Sequence, residues 1–272
     1  TEAFSNIFNL NNFLDVNNLA PLLTVAGTIF AYFSILIISF GDFSRYVKND
    51  QELKKGNLSL ILNLIIFSFL SVFIVIGSDV FLNQKFSDID RIFTNPTDIV
   101  GKFDNIQITI VVLFFIIIAS ASTNLVANFI PSQYSLINFA PSILSLKSAS
   151  YLIAFFGLLI AIFWLTILSQ IGILSFVDTF GAFFGPLFGV MAADYYLIKN
   201  QELSNKDLYS IDKESAYYYS GGWHIKGVYS LILGFIFSAS TIWNTNLMFL
   251  QSYAWIIGAF VAWITYYLLA KK

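Results

Sequence analysis

The stretch Ala119-Ser120-Ala121-Ser122-Thr123-Asn124-Leu125-Val126-Ala127-Asn128-Phe129-Ile130-Pro131 follows an uncharged apolar run, Ile108 to Ile118, so its hydroxyls and amides arrive at membrane depth. Polar groups there must satisfy one another or bind something. Ala119, Ser122 and Thr123 stand at i, i+3 and i+4 on one helix face, and offer carbonyl and hydroxyl oxygens suited to a hard cation such as Na⁺. Asn124 and Asn128 are also four apart but fall on a different face by helical angle, so one helix has a side for an ion and a side for a polar solute. Taken singly, a Ser or Thr in such a helix is more often a packing device that bonds back to the carbonyl one turn earlier. The clustering makes the stretch a candidate binding site.

Positioning that cluster requires helices that cross lipid. The 272 residues are 57% hydrophobic and 11% charged, with a mean hydropathy of +0.76, against about 25% charged in soluble domains. The chain reads as an all-α, polytopic membrane protein, with seven spans at about 21–40, 58–82, 107–130, 151–168, 174–198, 227–242 and 251–270. In the first, Gly27 either packs closely against a neighbour or permits local unwinding. In the fifth, Gly181, Gly185 and Gly189 form a small-residue face for tight helix contact, and Pro186 allows a bend. Pro131 ends or kinks the third span, and a short surface helix is expected over 132–150. Asp79 lies so near the polar Asn83-Gln84-Lys85 that it reads as interfacial, as do Tyr217-Tyr218-Tyr219 and Trp223-His224.

The absence of Cys and the single His224 exclude thiolate and multi-histidine metal sites. No carboxylate pair stands convincingly at membrane depth, so an intramembrane enzyme is a poor reading, and no basic block points to nucleic acid. If the loop after the first span is cytoplasmic, alternation leaves only Lys85, Arg91 and Lys102 of the 14 Lys and Arg outside. That bias puts the C-terminus in the cytoplasm and the start of this segment outside. Thr1-Glu2-Ala3-Phe4 does not resemble a signal peptide, so an odd number of spans is expected upstream.

Three stretches together resemble the nucleobase-cation-symport family, the permeases of cytosine, purines, uracil, allantoin, thiamine and hydantoins. Phe40-Gly41-Asp42-Phe43-Ser44-Arg45-Tyr46 looks like the signature after that family's sixth helix, and Ser122 to Asn128 resembles its eighth. Gly185-Pro186-Leu187-Phe188-Gly189-Val190-Met191-Ala192-Ala193-Asp194-Tyr195-Tyr196 resembles its tenth. The resemblance implies a LeuT-type arrangement of two inverted five-helix repeats and two extra helices, of which this chain holds helices six to twelve. Residues 1–198 are then the second repeat with its N-terminal loop, 199–226 a cytoplasmic loop, and 227–272 the final pair. It implies that Ala119, Ser122 and Thr123 hold a coupling Na⁺ and that Asn128 hydrogen-bonds the solute. Phe33 falls where the family has a stacking aromatic, commonly Trp, with Tyr32 beside it near unwound backbone. Phe keeps the π face and loses the indole N–H.

The function expected is cation-coupled import of a nucleobase or related planar heterocycle across the cell (inner) membrane by alternating access. Helices one to five, or a separate chain supplying them, complete the site. The alternative is a structural or regulatory membrane subunit that has kept the polar face as packing.

Overall fold

The computed structural model describes residues 16–85, 96–102, 104–163, 173–210 and 212–271, and among these it contains helices and no strand. The helices are α1 (Val16–Ile38), α2 (Phe40–Ser44), α3 (Asp50–Lys85), α4 (Pro96–Val100), α5 (Ile106–Asn124), α6 (Ile130–Phe139), α7 (Leu146–Phe163), α8 (Ile173–Ala193), α9 (Ile225–Trp243) and α10 (Ala254–Ala270). A π turn over Leu125–Phe129 joins α5 to α6 and another over Asp194–Ile198 ends α8, while a 3₁₀ segment, Thr245–Tyr253, links α9 to α10. Among the described residues, seven helical stretches are long and apolar enough to cross a membrane, as the sequence predicts. The chain forms two units, residues 41–155 and the remainder.

In the larger unit α8 packs against α1, α9 and α10. The small-residue face expected on α8 is what permits this: Gly181 lies on Ala31 of α1, Gly185 on the Trp255 carbonyl and Gly189 on the Ala259 carbonyl. A Cβ on Gly185 would overlap that oxygen and sit 3.0 Å from its carbon. Around this seam Phe30 and Phe188 flank Trp255, with ring centroids 5.7 and 5.3 Å away. Buried hydroxyls are satisfied by nearby backbone, Ser34 by Ala31 O at 2.6 Å and Ser238 by Ala254 O at 2.5 Å. Gly27 takes the packing role of the two open to it. It lies against the Ser252 carbonyl and α1 runs unbroken through it, so the unwound backbone implied beside Tyr32 is absent from α1.

In the smaller unit, Asn49 accepts from Glu52 N at 2.9 Å and starts α3 at Asp50, a helix of 36 residues that begins well before the apolar run at Leu58. Asn105 caps α5 through Gln107 N and Ile108 N, at 3.0 and 3.1 Å. The third span then does not stop at Pro131. The π turn before it bonds Ile130 N to Leu125 O, and Pro131 enters α6 in the first turn, where a missing N–H costs no hydrogen bond. Helix therefore continues to Phe139 where a surface helix was expected. The Gly41 to Tyr46 part of the Phe40 to Tyr46 signature is tied down here. Arg45 lies over the Tyr134 ring at 4.2 Å and pairs with Asp42 at 3.6 Å, and the hydroxyls of Tyr46 and Tyr134 share a hydrogen bond.

Candidate functional site

The polar cluster occupies the last turn and a half of α5 and the π turn that follows. Ser122 Oγ donates to Ala119 O at 3.0 Å, with Thr123 exposed beside them. Two of the three oxygens read as cation ligands are thus neighbours on one helix face; the Ser122 Oγ lone pairs are not used in this bond, and rotating its O–H away would free the Ala119 carbonyl lone pair that accepts it. Hard neutral oxygens of this type suit Na⁺ better than a softer metal.

The amides form a second line. Asn128 Nδ2 donates to Asn124 Oδ1 at 2.6 Å, and Asn124 Nδ2 donates to Ser120 O at 3.0 Å. This relay orients the Asn128 amide through one N–H, and its carbonyl oxygen and second N–H take no part in it. Asn128 itself lies inside the π turn, so the helical angle assumed from the sequence shifts across Leu125–Phe129. Single π turns recur at binding sites, because they re-aim side chains within an otherwise regular helix.

Phe33 and Tyr32 stand on α1 in the other unit. Phe33 is half-buried and Tyr32 exposed, and their rings meet edge to face at 5.2 Å.

Two polar constructions escaped the sequence reading. Asp178, inside the fifth span, is only 3% exposed; one oxygen accepts from Gln251 Nε2 at 3.0 Å and the other has no hydrogen-bond partner. Its position within an apolar run was the available signal, and an intramembrane carboxylate is costly enough to warrant notice. The second joins Asp194 of the Ala-Asp-Tyr stretch to Tyr266 of α10, at 2.5 Å, beside a cavity of about 690 Å³ lined in part by Lys199, Tyr219 and His224. The Asp79 side chain lies outside the described residues.

Across residues 2–267 the chain matches the family described as permease for cytosine/purines, uracil, thiamine, allantoin. It is 28% identical to the allantoin permease of Bacillus subtilis over 244 residues, which cover 89% of this chain and 48% of that protein. It is 25% identical to a purine-uracil permease of Arabidopsis thaliana over 255 residues, 89% of this chain and 41% of that one. A hydantoin permease of Microbacterium maritypicum shares 29% over 144 residues, 52% of this chain and 28% of its own length. The chain spans about half the length of the first two relatives. No solved structure matches it significantly.

Proposed function

The chain belongs to the family of permeases for cytosine and purines, uracil, thiamine and allantoin, and from that premise we propose that it is the second half of a Na⁺-coupled importer of a nucleobase or related planar heterocycle. In this reading the fold is LeuT-type, this chain supplies helices six to twelve, and five further spans complete the site. The transporter works by alternating access, binding ion and solute near the bilayer midplane. Ala119, Ser122 and Thr123 contribute to the Na⁺ site. Asn128, held by Asn124, hydrogen-bonds the ring, and Phe33 with Tyr32 supplies the surface on which it stacks.

The observation that carries this reading is the pair of oxygen and amide sets on one apolar span, with Asn128 inside the π turn. A flat heterocycle entering a dry site needs its donors and acceptors matched, and an amide offers both. Sodium-dependent uptake by the intact protein, lost in Asn128→Ala, is the expected result. Equal uptake with and without Na⁺ would remove the coupling claim.

A second reading, the non-transporting membrane subunit, also has an observation in its favour. Ser122, Asn124 and Asn128 all make hydrogen bonds within their own helix, as a purely structural face would. Solute binding measured for this chain with and without an upstream five-helix partner separates the two. Binding that appears only when the partner is present supports the importer, and none in either case supports the subunit.

A further inference from the structure

The cavity of about 690 Å³ beside Asp194 stands where three spans end. Ile198 closes the span Phe176–Ile198, Ile225 opens the span Ile225–Trp243 and Ala270 closes the span Thr245–Ala270, and all three residues line the cavity. The cavity therefore lies at the level where hydrocarbon gives way to lipid headgroups, with apolar residues from the span ends and polar ones from the link 199–224. We propose that it is a binding site for a phospholipid headgroup that carries both a phosphate and a primary ammonium, as phosphatidylethanolamine does.

The charges on the cavity wall select that chemistry. Asp194, Lys199, Glu202 and Lys226 line it, and two of them are spent on each other. Asp194 Oδ2 pairs with Lys199 Nζ at 2.7 Å, while Tyr266 donates to Asp194 Oδ1 at 2.5 Å. Lys199 also donates to the Tyr219 hydroxyl at 3.3 Å and lies over the Tyr217 ring at 4.2 Å, and Ser204 N donates to the Tyr217 hydroxyl at 3.1 Å. These contacts build the wall and leave that part of it neutral. Burial lowers the pKa of His224, so the imidazole adds no charge at neutral pH.

Glu202 and Lys226 remain. Both are exposed, and among the described residues neither side chain makes an ion pair or a hydrogen bond. One free carboxylate and one free ammonium on the same wall match a ligand bearing the reverse pair, its phosphate at Lys226 and its ammonium at Glu202. A glycerol headgroup would bring the phosphate alone and leave Glu202 with no counter-charge. Choline has no N–H to give Glu202 or the hydroxyls of Ser204 and Ser220. Nor is there an empty aromatic cage for it, because Tyr217 gives a ring face to Lys199 and Tyr219 gives one to His224.

Native mass spectrometry of the purified chain tests this, after release from nanodiscs of equimolar phosphatidylethanolamine, phosphatidylglycerol and phosphatidylcholine with matched acyl chains. Phosphatidylethanolamine should be retained at least about threefold over either competitor, a factor in keeping with two exposed ion pairs. Glu202→Gln should erase the preference over phosphatidylglycerol, and Lys226→Gln should lower retention of all three lipids. Lys213→Gln, on an exposed lysine of the same link outside this cavity, should change neither. Equal retention of the three lipids, a preference for phosphatidylglycerol, or a phosphatidylethanolamine preference that survives both Glu202→Gln and Lys226→Gln would overturn the proposal.

Discussion

Replacing Gly185 by Ala pits two opposite effects against each other, and the structure decides the winner. Alanine in place of glycine inside a helix gains about 1 kcal/mol of intrinsic propensity. Against this, the new methyl would overlap the Trp255 carbonyl oxygen and lie 3.0 Å from the carbonyl carbon and 3.1 Å from Cα, where ordinary contact begins at 3.4 Å. The obstacle is backbone inside α10 and not the tip of a flexible side chain, so relief requires two packed helices to separate. Overpacking of this kind costs roughly 1–3 kcal/mol, and the upper end applies where nothing local can yield. A net loss of about 2 kcal/mol follows, equivalent to a fall of roughly 5 °C in apparent Tm. Thermal unfolding of the purified chain in detergent, followed by tryptophan fluorescence, measures it. Gly77→Ala is the control, because a Cβ on Gly77 meets nothing within 4 Å; that variant should be neutral or slightly more stable. If Gly185→Ala is as stable as the parent, or Gly77→Ala falls as far, the small-residue seam is not what holds α8 to α10.

For the intact transporter, Asn128→Ala should weaken solute binding at least about tenfold in a radioligand assay, the loss of one matched hydrogen bond in a dry site. Asn124→Ala should produce a smaller loss of the same kind, since it only orients Asn128. Replacing Ser122 and Thr123 together by Ala should shift the Na⁺ concentration needed for half-maximal binding upward by roughly tenfold or more, leaving binding at saturating Na⁺ less affected. Phe33→Trp should preserve affinity for flat rings while Phe33→Leu lowers it several-fold, about 1 kcal/mol, which competition binding would read out.

The lipid-crossing architecture was legible because a bilayer imposes a single rule, a long apolar run, that seven stretches obey. The Gly181, Gly185, Gly189 face was legible for the same reason, since a four-residue spacing is enough to define a helix face. Other features depend on geometry that spacing does not carry. The α3 boundary moved because Asn49 caps the helix in a region too polar to be read as part of a span. The π turn changes which way Asn128 points, and nothing in Leu125 to Phe129 alone demands an extra residue per turn. The contacts of Tyr266 with His224 and Asp194 were illegible because they join residues 42 and 72 positions apart. His224 looked like a stray interfacial residue, and its partner Tyr266 looked like one more aromatic in an apolar helix.

The length of α3 sets a relation to the membrane that the shorter helices do not share. Its apolar portion, Leu58 to Leu82, is 25 residues by sequence and so about 37 Å long, against a hydrocarbon layer of about 30 Å. By contrast α9, with 19 residues, is about 28 Å long and nearly matches that layer. One bilayer cannot suit both standing upright, so α3 must lean, or the lipid around it must stretch. Hydrophobic mismatch of this size couples the tilt of α3 to the thickness of the bilayer. Lipids with longer acyl chains should let α3 stand straighter, and shorter chains should press it further over.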